Sequence, residues 1–174
     1  MIDFLEKYNN KKNIGFESFS FAINESIKRD HKIIVETGVA RGKRKFLFFL
    51  KKNWKDGMST LIFSNYVFVI KGHLYSCDIS QENINNAQKF TKKYKNHVTF
   101  FKGDSLNFLN NFEKKIDFLY LDSLDGQLPG AAEHQLKEIQ IAEKRLHSDS
   151  LILLDDKKSK MALSVDYMKK RNFK

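Results

Sequence analysis

The sequence predicts an α/β fold, in which a mostly parallel sheet is covered by helices on both faces. Five short apolar segments alternate with segments of helical period along the 174 residues. The clearest is the branched run 33–35, which lacks the alternation of a half-exposed strand and is typical of a strand buried on both faces. All five segments end in a carboxylate or an acid-bearing loop. Because parallel strands end at one edge of the sheet, this repetition predicts a ligand site there.

Length and composition indicate one domain spanning residues 1–174. The formal charge is +10, from 31 basic and 21 acidic residues, which raises nucleic acid or an acidic ligand as a partner. The lysines are scattered, however, and form no separate basic stripe. The one cysteine, Cys77, excludes an internal disulfide and a thiolate zinc cluster and fits a reducing cytosol. Since no signal core or membrane-length apolar segment is found, we expect a cytoplasmic protein without a membrane partner.

The segment 32–42, KIIVETGVARG, carries the first strand into a loop with two glycines. Glu36 falls at the carboxyl end of that strand, where open α/β sheets bind their ligands. Gly38 and Gly42 lack a β-carbon, so the backbone can turn tightly and lie against a bound molecule. An ordinary strand-to-loop turn would look the same, and this pattern alone leaves both interpretations open.

The periods of apolar residues place the other elements. Residues 1–30 are predicted to form a helical cap, because apolar side chains recur there every three or four residues from Phe16 to Ile27. This stripe is typical of a packing helix, with the mouth of a pocket as the alternative for Phe16 and Phe19. The remaining strands are predicted at 73–78, 98–101, 116–121 and 151–154, and the remaining helices at 59–70, 81–95, 131–146 and 159–170.

The basic and aromatic segment 43–57 does not fit a simple strand-helix-strand unit. Glu36 and Asp78, two successive strand-end carboxylates, are 42 residues apart (78 minus 36), against roughly 20 in a dinucleotide-type unit. We therefore treat 43–57 as an insertion and expect Ser59 or Asp56 to cap the next helix. The aromatic residues of this insertion are expected in the core or at a subunit contact rather than in a lid over the ligand. These residues are Phe46, Phe48, Phe49 and Trp54.

Polar side chains at the other strand ends suit a nucleoside ligand. Asp78 ends the second strand, and its two carboxylate oxygens match the vicinal hydroxyls of a ribose; a helix N-cap is the alternative. Asp104 and Ser105 follow the third strand and suit the exocyclic amine of a purine. His134 lies off the inward face of the helix predicted at 131–146, either as a candidate base or as an ordinary surface residue.

Taken in order, these segments resemble the class I S-adenosylmethionine-dependent methyltransferases. VETGVARG is similar to their first motif, LYSCD to their ribose-binding strand, FFKGDS to the adenine-side motif and IDFLYLDS to the strand beside the transferred methyl group. The resemblance implies a Rossmann-like three-layer sandwich with strand order 3-2-1-4-5. We expect the family's usual C-terminal strand hairpin to be absent after residue 156, either because this is a natural five-stranded form or because the chain is a truncated version of a longer one. The fifth strand is then an exposed edge, from which we expect a homo-oligomer.

The resemblance also implies S-adenosylmethionine as cofactor and assigns residues to it. The DGMST segment at 56–60 is similar to the start of the family's first crossover helix, whose free N–H groups receive the methionine carboxylate. The expected contacts are Glu36, Gly38 and Gly42 for the methionine part, Asp78 for the ribose, Asp104 and Ser105 for the adenine, and in addition Thr37, Ser59, Ile79 and Asp122.

A narrower resemblance, to metal-dependent small-molecule O-methyltransferases and the cephalosporin-hydroxylase-like group, concerns Asp122, Asp155 and Asp156. In those proteins acidic residues at the same two strand ends hold Mg²⁺ beside the methyl donor. Three convergent carboxylates repel one another unless a proton or a hard cation lies between them. The alternative is that Asp155 and Asp156 only cap the next helix. As catalytic residues we name Asp122 and His134.

The sequence thus favours methyl transfer to a small-molecule hydroxyl, with or without Mg²⁺. One alternative is a protein that modifies or binds nucleic acid, suggested by the net charge. Another is a hydroxylase-like or catalytically reduced relative that keeps the fold and the cofactor. A nicotinamide dehydrogenase is disfavoured, because the loop 38–42, GVARG, is not the GxGxxG fingerprint.

Overall fold

The computed structural model describes residues 3–44, 50–155 and 158–173 of the chain. The strands are β1 (Ile33–Thr37), β2 (Lys43–Arg44), β3 (Leu50–Lys51), β4 (His73–Asp78), β5 (Val98–Lys102), β6 (Phe118–Leu121) and β7 (Leu151–Leu154). Five of them form one parallel sheet in the order β5-β4-β1-β6-β7, and β2 pairs with β3 in a separate antiparallel ribbon. Counted along the chain, the sheet order is 3-2-1-4-5, as predicted.

Seven α-helices are assigned in the described residues. They are α1 (Asp3–Glu6), α2 (Phe16–Lys28), α3 (Ser59–Ile70), α4 (Gln81–Thr91), α5 (Ser105–Asn111), α6 (Ala131–Ala142) and α7 (Lys158–Lys170). The helices predicted at 81–95 and 131–146 end early, because their last turns tighten into the 3-10 segments Lys92–His97 and Glu143–Arg145. Ser80 caps α4 by accepting a hydrogen bond from Asn83 N, and Asp104 caps α5 in the same way from Asn107 N.

Two hydrophobic cores lie on opposite faces of the sheet. Successive residues of a strand point to opposite faces, and Ile34 packs in one core while Val35 packs in the other. The first core draws its other members mainly from α1, α2 and α3, and the second draws them mainly from α5, α6 and α7. Burial on both faces is the reason that β1 and β6 are apolar without alternation.

The insertion 43–57 contains the β2–β3 ribbon and a 3-10 turn at Trp54–Asp56. Trp54 packs partly buried against the first core, with its ring 6.0 Å from that of Tyr8, so the core assignment is correct for this residue. Phe46, Phe48 and Phe49 lie outside the described residues. The chain then enters α3 through two residues with positive φ, Gly57 at 76° and Met58 at 52°.

β7 forms one edge of the parallel sheet, and no strand follows it in the part of the chain described up to residue 173. Its four residues are all partly exposed. No helix among the described residues combines the length and the apolar character needed to cross a membrane. The fold therefore leaves two features for function, the carboxyl edge of the sheet and the open edge of β7.

Candidate active site

The glycine loop after β1 is pressed against the end of β6. Gly38 has a φ of +83°, and a β-carbon there would lie 2.1 Å from the carbonyl oxygen of Asp122. Its N–H donates to Cys77 O at 2.8 Å, while Asp122 N donates to Thr37 O at 2.8 Å. Only glycine satisfies both the positive φ and this close approach. The loop predicted from Gly38 thus runs directly beside Asp122.

Two further hydrogen bonds fix the loop to its neighbours. Val39 N donates to Oδ2 of Asp78 at 3.1 Å, and Ala40 N donates to Oγ1 of Thr60 at 2.8 Å. Gly42, at the far end of the loop, has a φ of +68°, and a β-carbon there would meet the Phe90 ring at 2.5 Å. The loop is therefore held on one side by the end of β4 and on the other by the first turn of α3.

Asp78 presents a fixed carboxylate at the carboxyl edge of the sheet. Its Oδ1 accepts from Ser80 N at 2.7 Å and from Asn83 Nδ2 at 3.1 Å, in addition to the bond from Val39 to Oδ2. The N-cap of α4 is Ser80, so the alternative of a simple capping aspartate does not describe Asp78. The next side chain, Ile79, is 74% exposed. This pair supplies a carboxylate and an apolar surface beside the glycine loop.

Glu36 is fully buried and faces the protein interior. Its two carboxyl oxygens accept hydrogen bonds from Ser59 at 2.6 Å and from Ser76 at 2.5 Å. Burial raises the pKa of Glu36 from 4.5 to about 7, against the opposing effect of the hydroxyl donors. The carboxyl thus joins β1 to α3 and β4, and it stabilises the carboxyl edge of the sheet from within the protein.

The first turn of α3 has no side-chain cap from its own N-cap residue. The N-cap position is Met58, whose side chain makes no capping hydrogen bond, so the expectation that Ser59 caps this helix is wrong. The side chain of Asp56, the other expected cap, lies outside the described part of the chain. The left-handed conformation of Met58 turns the chain into the helix, and the Ser59 hydroxyl is directed to Glu36 instead. Uncapped N–H groups at a helix N-terminus favour an anionic group such as a carboxylate.

His134 lies beside Ser105, on the β5 side of the sheet. Its Nε2 is 3.0 Å from Ser105 Oγ and 3.7 Å from Oε1 of the buried Glu138. The neighbouring Glu138 carboxylate raises the pKa of His134 above its ordinary value. Asp104 holds the adjacent N-cap of α5. The structure therefore brings Asp104, Ser105 and His134 together, and it places His134 outside the wall of the cavity described below.

Asp122 follows β6 and Asp155 follows the neighbouring strand β7, so the two carboxyl groups lie side by side at the edge of the sheet. Burial and the neighbouring Asp155 raise the pKa of Asp122 well above its usual range. The hydroxyl of Tyr120 lies 3.5 Å from Asp122 Oδ2, and Nζ of the buried Lys160 lies 4.0 Å from Asp122 Oδ1. An acidic pair, a phenol and an ammonium group thus meet at the edge of the sheet.

The described residues do not complete the expected magnesium site by themselves. Asp122 and Asp155 offer oxygen ligands, but Asp156 lies outside the described residues. Within 3–44, 50–155 and 158–173, no group of three or more His, Cys, Asp or Glu residues is placed to hold a metal ion. The ammonium of Lys160 lies next to the acidic pair and opposes a second cation.

A cavity of about 910 Å³ opens at this edge, with Asp122, Asp155 and Tyr120 in its wall. Charged side chains of both signs lie at it, and Arg41 Nη2 is 3.4 Å from Asp125 Oδ1. The apolar part of its wall includes Phe19 of α2, Leu153 of β7 and Met161 of α7. Ile14, which precedes α2, also belongs to it. Phe19 thus packs in the first core and also lies in the wall of this cavity, and Phe16 packs partly buried against the same core.

Residues 35–157 match the model of a protein family described as a methyltransferase domain. The match covers more than half of the 174 residues. The chain belongs to this family of methyltransferase domains. The resemblance to class I methyltransferases stated from the sequence motifs is confirmed by this match and by the fold.

Solved structures with the same fold include methyltransferases of several kinds. A methyltransferase of Podospora anserina bound to SAH is 20% identical with a TM-score of 0.60, over 89% of this chain and 62% of its own. An O-methyltransferase of Bacillus cereus in complex with SAH is 14% identical with a TM-score of 0.59, over 90% and 67%. An rRNA methylase of Streptococcus thermophilus is 14% identical with a TM-score of 0.59, over 94% and 81%. No curated protein sequence matches the chain.

Sequence reasoning missed three residues of this methyltransferase domain, all buried between α6 and α7. Gln135 and Glu138 lie on the inward face of α6, and Lys160 is buried near the start of α7. Leu136, the apolar residue between Gln135 and Glu138, is only partly buried. In the sequence, a buried polar residue of a helix looks the same as an exposed one. No feature of the sequence therefore distinguishes Lys160 from the other lysines of the chain.

Proposed function

We propose that this methyltransferase domain transfers a methyl group from S-adenosylmethionine to a hydroxyl group of a small molecule. The observation that carries the proposal is the position of Asp122. Its backbone contacts the glycine loop at Thr37 and Gly38, and its side chain lies in the wall of the cavity. One residue thus borders both the expected cofactor loop and the space available to an acceptor.

The residues at the carboxyl edge fit the cofactor. The Asp78 carboxylate is held by three donors at the end of β4 and suits two ribose hydroxyls. The uncapped first turn of α3 suits the methionine carboxylate. Ser105, His134 and Asp104 offer donors and acceptors for the adenine. Glu36 and Thr37, both buried, act by shaping the loop.

Bound S-adenosylmethionine supplies a methyl group on a sulfonium, which an oxygen nucleophile accepts as the C–O bond forms and the S–C electron pair returns to sulfur. The chain's contribution is to hold the acceptor in line and to remove its hydroxyl proton. A carboxyl with a raised pKa is a stronger base when ionised than an ordinary carboxylate. Asp122, beside Asp155 and Tyr120, is therefore the proposed proton acceptor, and His134 has no proposed role in that step.

The cavity supports a small acceptor rather than a polymer. Its volume of about 910 Å³ lies within the range of ordinary small-molecule sites. The wall combines apolar side chains with Arg41, Lys55 and Asp125, which suits an acceptor with an apolar body and a polar substituent. The fold alone does not separate these classes, because proteins named as rRNA methylases share it.

The test is transfer of a labelled methyl group from S-adenosylmethionine to a panel of hydroxylated aromatic and aliphatic compounds, with total RNA as a separate acceptor. We expect label on a small hydroxylated compound. Asp122→Asn should reduce turnover by at least about 100-fold while binding of the demethylated product is retained. Glu113→Gln, an exposed acid distant from the site, is the control. Label in RNA alone would contradict the proposed acceptor class.

A further inference from the structure

Lys160 is a buried ammonium group next to the acidic ends of β6 and β7. Its side chain is 1% exposed, and its Nζ lies 4.0 Å from Oδ1 of Asp122. Long, charged side chains are almost never fully buried unless an opposite charge accompanies them. Lys160 lies in the first turn of α7, soon after β7, so its ammonium group stands at the carboxyl edge of the sheet.

We propose that Lys160 is the built-in counter-cation of the Asp122–Asp155 pair, so that this chain holds no divalent metal ion there and transfers methyl groups without one. The inference rests on the proposed function, because it concerns the acidic pair beside the acceptor cavity. Lys160 acts as a positioning residue: it holds the Asp122 carboxyl in place from within the protein and does not touch the acceptor.

Electrostatics gives the reason. Two unit charges 4 Å apart interact strongly when water is excluded, and a divalent ion at the acidic pair would meet the ammonium of Lys160 at similar range. A fixed cation also offsets the repulsion between two neighbouring acidic groups, which is the task a metal ion would otherwise perform. An acidic pair with its own ammonium group therefore has little to gain from binding Mg²⁺.

The chain offers matched variants for the test. Lys160→Met removes the charge and keeps the length of the side chain, and Lys160→Arg keeps the charge. Lys169→Met removes an exposed charge from the same helix and is the control. The probe is Mn²⁺, a paramagnetic ion with the same preference for oxygen ligands as Mg²⁺, titrated in the presence of SAH and followed by electron paramagnetic resonance.

We expect the wild type, Lys160→Arg and Lys169→Met to bind no Mn²⁺ at this site. Lys160→Met should bind Mn²⁺ at least about tenfold more tightly than the wild type, and adding Asp122→Asn should remove that gain. Wild-type binding of Mn²⁺ that Asp122→Asn abolishes would overturn the inference, as would a folded Lys160→Met without any gain. If Lys160→Met does not fold, the titrations of the wild type and Lys160→Arg test the inference, because both are expected to bind no Mn²⁺ at this site.

A parallel titration with SAH separates this inference from the proposed function. Normal SAH binding with Mn²⁺ binding at the wild-type acidic pair would refute only the role of Lys160. Loss of SAH binding in the wild type would refute the proposed cofactor, whatever the metal titration shows. A purely structural role for Lys160 would change thermal stability in Lys160→Met without creating a metal site, so the two roles give different results.

Discussion

Thr60 accepts a hydrogen bond from the backbone N–H of Ala40, with 2.8 Å between Oγ1 and N. The two residues lie on either side of the insertion 43–57, and both are buried. Their bond therefore closes the insertion at its base. It aligns the glycine loop with the first turn of α3, as would be needed if both hold the methionine part of one cofactor.

Replacing Thr60 by Val should destabilise the protein by about 1–3 kcal/mol, because the buried N–H of Ala40 would lose its acceptor. The same change should weaken SAH binding, because the hydrogen bond that holds the glycine loop in position against α3 would be lost. Urea denaturation and calorimetric titration measure the two effects. Thr60→Ser keeps the hydroxyl and is the control. Equal SAH affinity in the wild type and Thr60→Val would show that this bond does not organise the site.

Glu36 should make stability depend on pH. Its pKa in the folded protein is about 7 against an ordinary value of 4.5, so the folded state binds the proton more tightly than the unfolded state. The resulting stabilisation is complete below pH 4.5 and is lost as the pH rises towards 7. Relative to Glu36→Gln, the wild type should lose about 3 kcal/mol of unfolding free energy across that range.

The measurement is urea unfolding of the wild type and Glu36→Gln at a series of pH values. The difference between the two proteins isolates Glu36, because the other titrating groups are common to both. A difference that stays constant from acid to neutral pH would mean that the pKa of Glu36 is the same in the folded and unfolded states, which would contradict this prediction.

His134 should affect cofactor affinity more than turnover, because it contacts Ser105 and lies outside the cavity wall. We expect His134→Asn to weaken SAH binding about tenfold, the value of one hydrogen bond to a charged group. The maximal rate should change far less. His147→Asn is the control, since His147 bonds to Asp117 at the opposite edge of the sheet. A large fall in kcat at unchanged SAH affinity would restore His134 as a catalytic base.

The open edge of β7 should pair with or be covered by a second copy of the chain. The four residues of β7 are partly exposed, and unpaired strand edges favour association. Static light scattering at micromolar concentration should therefore give a mass of at least twice 20.4 kDa. A monomeric mass would contradict this prediction.

The sheet order and most element positions could be predicted from the sequence. Buried parallel strands and crossover helices differ in how their apolar residues are spaced along the chain. β1, β4 and β7 were located well, since unbroken apolar runs end at polar loops. The start of α3 was located at Ser59, but its cap was not, because a left-handed Met58 has no sequence signature. A β-branched or bulky residue is rarely expected to adopt positive φ.

Side-chain directions at the site could be predicted less well. The strand-end position of Asp78 followed from the alternation of strands and loops, and its carboxylate lies at the expected edge. Glu36 was expected to contact the cofactor, but the pleat of β1 directs it inward to Ser59 and Ser76. The burial of Lys160 depends on how α7 packs on α6, and no local pattern encodes that contact.

Calorimetric titration with SAH of the wild type and Asp78→Asn tests whether the carboxyl edge of the sheet binds S-adenosylmethionine. We expect binding by the wild type and at least about tenfold weaker binding by Asp78→Asn, because the variant loses charge-assisted hydrogen bonds to the ribose. Glu113→Gln should bind like the wild type. Absence of wild-type binding, or equal binding by Asp78→Asn, would contradict the assignment of the carboxyl edge to S-adenosylmethionine.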